Sequence, residues 1–222
     1  MQKFDTPAPI AAVLDIPAGR IQFIAADRAD TTVEVLPADA AKGRDMKAAE
    51  QIEVTYGDGV LRIEAPEPKN RILGHTGSVE VTVQLPAGSR IEAKSDAAEL
   101  RGVGRLGDVT FEGGYRSVKL DEAASARLSA HDGNVSVGRL TGPAEISTQQ
   151  GDIQVTEAVR GTVTLRTEKG DISLVAARGV SASLDAGTGY GRIQNALRNT
   201  DGTPDLTVHA TTGYGDITAR SL

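Results

Sequence analysis

At 222 residues the chain is long enough for one domain or a small two-part unit, and it can bury a real core. Its net charge is −6 with no basic block, which argues against a nucleic-acid backbone as partner, and with no cysteine it has neither disulfides nor thiolate metal sites. Aromatic residues make up 3% and tryptophan is absent, so Val, Ile, Leu and Ala must fill the interior, which suits a narrow, layered core.

The opening residues Met1-Gln2-Lys3-Phe4-Asp5 hold no apolar run of the signal-peptide kind, and no stretch approaches the ~20 apolar residues of a membrane span. The expectation is a soluble, cytoplasmic protein with no membrane span and no cofactor. Period-two alternation then predicts strands at Val13–Ile16, Arg20–Ala25, Thr32–Leu36, Ile52–Tyr56, Val60–Ala65 and Val79–Leu85. Gly57-Asp58-Gly59 reads as a hairpin turn. Ile16-Pro17-Ala18-Gly19 and Leu85-Pro86-Ala87-Gly88 read as two turns of one kind. Residues 37–50 and 66–78 are long loops, the first with a short helix around Asp45–Gln51. Residues 1–90 are therefore expected to form an irregular antiparallel β region that caps the remainder of the chain.

From residue 91 the chain repeats. Gly-polar-(Val/Ile) recurs as Gly133-Asn134-Val135, Gly151-Asp152-Ile153, Gly170-Asp171-Ile172, Gly191-Arg192-Ile193 and Gly215-Asp216-Ile217. The apolar anchors form a column, Leu100, Val118, Val135, Ile153, Ile172, Ile193 and Ile217, about 18 residues apart before the spacing widens. A second column runs ahead of it at Ala93, Phe111, Leu128, Ile146, Leu165, Leu184 and Val208. A third, weaker one reads Val103, Leu140, Val159 and Leu197. Short strands on three sides of an 18-residue turn predict an all-β, right-handed parallel β-solenoid over 91–222, with about seven rungs spanning roughly 34 Å. Each glycine falls at a corner, where a backbone free to take positive φ is needed. The outward positions then pair Lys94 with Glu112, Arg127 with Glu145 and Arg166 with Asp185 on adjacent rungs.

These Gly-Asp-(Ile/Val)-x-(Val/Leu) rungs, behind β-strands that end in a Leu-Pro-Ala-Gly turn, resemble the bacterial β-strand-repeat family known as "putative adhesins". The likeness covers nearly the whole chain, and it specifies a fold rather than a reaction. Many members carry a membrane helix, and this sequence has none. Bactofilins, which are cytoskeletal β-helices, are similar at a greater distance.

Three corner tyrosines stand three residues before their anchors: Tyr115, Tyr190 and Tyr214. The last two sit in matching segments, Thr188-Gly189-Tyr190-Gly191 and Thr212-Gly213-Tyr214-Gly215. With His209 they form the candidate ligand- or partner-binding patch, because tyrosine adds contact area at low entropic cost; the alternative is that the rings only shield the corner backbone. Asp152 and Asp171 fall on adjacent rungs at calcium-bridging distance, but Asp is also a good turn residue and the dense glycine repeat of calcium-binding β-rolls is absent, so no metal site is assigned. His75 falls in a loop, His131 and His209 point outward, and no serine or threonine is marked as a nucleophile, so no catalytic residue is assigned.

Two functions remain. One is a non-enzymatic scaffold or interaction module for an unknown protein or glycan partner. The other is a carbohydrate-binding or polysaccharide-processing β-helix, which needs carboxylates in a cleft. If the segment Ala196–Pro204, with Arg198 and Asp201, leaves the last rung around Ile217 uncovered, a symmetric homodimer through the C-terminal solenoid end is expected.

Overall fold

The alternation of apolar and polar residues governs almost the whole chain. The structure, a computed structural model, describes residues 1–66, 77–200 and 202–222. Among the described residues there is one helix, and everything else regular is β-strand. The first strands are β1 (Gln2–Asp5), β2 (Ala11–Asp15), β3 (Ala18–Ala26) and β4 (Asp30–Pro37). Helix α1 (Gly43–Gln51) precedes β5 (Glu53–Gly57), β6 (Val60–Glu64), β7 (Val79–Pro86) and β8 (Arg90–Ser95). Two long strands that bend around corners come next, β9 (Ala97–Gly113) and β10 (Val118–Asp132). Then come β11 (Val135–Leu140), β12 (Ala144–Gln150), β13 (Ile153–Ala158), β14 (Gly161–Lys169) and β15 (Ile172–Ala176). The chain ends in β16 (Ala182–Tyr190), β17 (Ile193–Ala196), β18 (Leu206–Tyr214) and β19 (Ile217–Ser221).

Parallel pairing builds two adjoining sides of one stack. On the first, the spatial order is β6, β2, β8, β9, β10, β12, β14, β18, β16. On the second it is β7, β3, β9, β10, β11, β13, β15, β19, β17. The expected stacking of Ile153 on Ile172 and of Ile146 on Leu165 is present, and all four side chains are buried. Burying an Ile or Leu side chain contributes roughly 1.5–3 kcal/mol, and these columns repeat that contribution along the stack.

Three expectations need correction. The first ninety residues are not simply antiparallel: β2, β3, β6 and β7 join the parallel stack, with Leu14 between Ile63 and Ala93 and Ile21 between Val81 and Leu100. Leu14 and Ile21 even keep the seven-residue offset that separates Ala93 from Leu100. Among the described residues, antiparallel pairing is confined to β1 on β4, β4 on β7, and β5 on β6, the last through the expected hairpin with Asp58 at φ 50° and Gly59 at φ 74°.

The last two rungs are also not in chain order. β18 and β19 lie between β14/β15 and β16/β17, so Ile217 sits between Ile172 and Ile193. Leu165 opposes Ala210, which opposes Ala186, and a seven-residue offset to the anchors is restored throughout. Arg166 therefore faces Thr211 and does not reach Asp185. Lys94–Glu112 and Arg127–Glu145 do pair, the latter at 3.8 Å.

In the third column, Leu140 is right. Its neighbours, however, are Leu106, Ala123, Ala158 and Ala176, while Val103 and Val159 are only half-buried. Period-two alternation puts residues on one face but does not choose between positions two or three apart near a bend, where the register shifts.

Candidate functional site

The corner between the two sides is built from a recurring Thr-x-x-Gly-Asp-Ile segment, present in full at Thr148–Ile153, Thr167–Ile172 and Thr212–Ile217. The threonine turns inward, and its hydroxyl donates to the glycine carbonyl of a neighbouring rung. Thr167 Oγ1 reaches Gly151 O at 3.0 Å, Thr212 Oγ1 reaches Gly170 O at 2.9 Å and Thr188 Oγ1 reaches Gly215 O at 3.0 Å. The glycines stack so closely that a Cβ on Gly215 would lie 2.0 Å from Gly170 O, and its φ of +150° is itself hard for other residues. These threonines escaped the sequence reading; their constant place five residues before the anchor was the available signal.

The aspartates form a ladder along the same corner. Asn134 Oδ1 accepts the backbone N–H of Asp152 at 2.9 Å, and Asp152 Oδ1 accepts that of Asp171 at 2.8 Å. Asp171 Oδ1 accepts the N–H of Asp216 at 2.7 Å, and Asp216 Oδ1 accepts that of Arg192 at 2.8 Å. Each side chain satisfies the corner N–H of the next rung. Arg192 cannot accept in turn, so it can stand only at the end of the series. It folds back instead, with its guanidinium 3.1 Å from Asp216 Oδ2. Its backbone N–H and side chain hold the Asp216 carboxyl below the usual carboxylate range. Asp152 and Asp171, the pair weighed as a calcium bridge, are thus engaged with backbone. Among the described residues no group of three or more His, Asp or Glu is arranged to hold a metal ion.

On this frame stand Tyr190 and Tyr214. They are direct register partners, their rings stack at 5.1 Å with planes 4° apart, and they are 71% and 59% exposed. Lys169 is the partner of Tyr214 on the other side. The two remaining candidates lie elsewhere. Tyr115 is exposed but tilts against His131, at 5.4 Å, several rungs away. His209 lies five residues along β18 from Tyr214, ~16 Å in an extended strand, with Nδ1 3.3 Å from Asp185 Oδ2. A single four-residue patch is therefore not formed; the tyrosine pair is. His75 and Asp201 fall outside the described residues.

A cleft of about 430 Å³ beside α1 and β3 gathers charges of both signs, but they pair with one another. Arg20 lies 3.1 Å from Glu80 and 3.6 Å from Glu99, and Lys42 lies 3.1 Å from Asp39.

Among solved structures, a "putative adhesin" of Bacteroides fragilis is similar over 98% of this chain and 95% of its own, with a TM-score of 0.58 and 16% identity. A "putative adhesin" of Parabacteroides distasonis covers 100% and 95%, at a TM-score of 0.44 and 15% identity. A "putative cell adhesion protein" of Clostridium sporogenes covers 100% and 98%, at 0.42 and 11%. At such identities the Bacteroides structure speaks for the fold alone. No curated protein is similar in sequence to this chain. The model of the Toastrack family, DUF4097, matches residues 13–221, from the second strand to the last. The chain belongs to the Toastrack family.

Proposed function

We propose that this protein is a non-enzymatic interaction module whose contact patch is the Tyr190–Tyr214 corner. The observation that carries this is the stacked, largely exposed ring pair held on a glycine-rich corner. Two phenol rings already fixed against each other lose little entropy on binding and offer flat apolar area with a polar rim. The frame around them supports an interaction role over a chemical one, because the ladder aspartates are engaged with backbone N–H groups. The name of the Bacteroides protein, a "putative adhesin", points the same way for that protein. The partner is a protein or glycan surface able to cover the rings. We read the coil as right-handed, following the strong preference of parallel crossovers, with the seven anchor rungs of the second half continued by strands of the first.

The test compares binding by the intact protein and by a Tyr190→Ala, Tyr214→Ala variant of unchanged thermal stability, on a glycan array and against candidate partner proteins. Binding lost in the variant is the expected result; binding retained in full removes the tyrosine patch. Polysaccharide turnover that disappears on Asp152→Ala or Asp171→Ala would overturn the non-enzymatic reading.

A further inference from the structure

The two ends of the stack are finished differently, and the exchanged rung order moves the open end to a place the chain terminus does not suggest. Ile217, the anchor of the last rung in sequence, is buried between two neighbours. The final layer in space is β16 with β17. Each pairs on one side only, β16 with β18 and β17 with β19. The segment after β17 folds back over the very start of β16: Ala182 N donates to Arg198 O at 2.9 Å, and Thr200 N to Ser181 Oγ at 3.3 Å. Beyond that, among the described residues, no strand covers the outer edge of Ser183–Tyr190 or of β17. Ile193 is 44% exposed, and Leu184 and Ala186 are half-buried in the same layer. Tyr190 stacks on Tyr214 on its inner side. Unpaired strand edges with apolar side chains beside them are pairing surfaces unless something blocks them.

We infer that the open β16–β17 end is an isologous interface for a second copy of this chain. The inference rests on the interaction reading above and names one partner for it. Charge favours a second copy. β16 carries Asp185, whose side chain is 84% exposed, while β17 is flanked by Arg192, 79% exposed, and by Arg198, also exposed. A two-fold axis through the Gly191 corner lays β16 of one copy antiparallel to β17 of the other, which brings the acidic strand to the arginine-flanked one twice over. The same axis sets Ile193 of each copy, exposed in the single chain, against the Gly189-Tyr190 end of the other's β16. Because the contact is isologous, with the same patch used by both copies, it closes as a dimer and does not propagate.

Light scattering on the full chain over a wide concentration range tests this. The expected mass at high concentration is twice the 23.1 kDa of the chain. Ile193→Lys and, separately, Asp185→Arg should return it to a monomer while the thermal melt stays cooperative. If Ile193→Lys melts early, Asp185→Arg alone decides. A wild-type monomer at every concentration overturns the inference, and so does a dimer that survives both substitutions. A monomer that still binds a partner through Tyr190 and Tyr214 would overturn the dimer and leave the tyrosine reading intact.

Discussion

The first and last layers of this stack use the same strand geometry, yet one is finished and the other is bare. At the first end β7 is covered by β4, and β4 by β1, both antiparallel, while β5 folds over β6. Helix α1 rests on β4 and β7, with Asp45 buried and accepting the Ser78 N–H at 3.0 Å. Phe4 packs against Tyr56 at 5.4 Å, and Asp30 joins Lys3 to Arg28 across the rim. At the other end the sequence makes the last rung smaller and more polar, without adding an element. Leu165 gives way to Ala210 and then Ala186, and Leu174 to Ala219 and then Asn195. A solenoid needs both ends finished to remain a soluble unit. The difference teaches that one end is closed by structure, while the other is only partly blunted by composition and remains able to pair.

The comparison breaks most sharply at two isoleucines one layer apart. Ile217→Lys places a charge in the buried column and should abolish cooperative folding, whereas Ile193→Lys should leave a cooperative transition, as followed by circular dichroism on heating. Similar melts for both would mean that the bare layer is not the last one. In mid-stack, Ile153→Ala should cost ~2–5 kcal/mol in denaturant titration, because both neighbouring rungs hold the cavity open.

Glycines sharpen the same contrast at smaller scale. Gly215→Ala meets backbone at 2.0 Å and should destabilise by at least ~1–3 kcal/mol, while Gly187→Ala, in the bare layer, meets nothing within 4 Å and should be close to neutral. The smallest effect concerns the closed end and acid. Arg28 and Lys3 hold the Asp30 carboxyl down at about 2, so its contribution to the cap is complete above the unfolded-state value near 3.8 and is lost as pH falls from there toward 2. Asp30→Asn should remove that small contribution at neutral pH, leave stability at the acid end of the window little changed, and so flatten the pH dependence between them.

Much of this was legible in the sequence. Gly-Asp-Ile at steady spacing revealed the parallel stack, because a rung must return each corner to the same place. The exchanged order was not legible from the columns, since Ile193 and Ile217 are the same residue and Val208 and Ala210 both face inward. The sign lay in the corner: Arg192 stands where the other late rungs have Asp, and a rung that offers no acceptor must come last. The N-terminal strands themselves were legible, but their place in the parallel stack was missed for a related reason. Leu14 and Ile21 keep the seven-residue offset but stack between residues that come much later in the chain. The tyrosine pair was readable because Tyr190 and Tyr214 occupy identical corner positions; the separation of Tyr115 and His209 from it depends on rung order and strand length.

The central claim, an open end at β16–β17, is tested most directly by amide hydrogen exchange of the intact protein at low and high concentration. In dilute protein the amides of Ser183–Tyr190 and Ile193–Ala196 should exchange faster than those of β6 and β7 at the covered end, and they alone should gain protection as concentration rises. Equal protection at the two ends in dilute protein, with no change on concentration, would contradict the account.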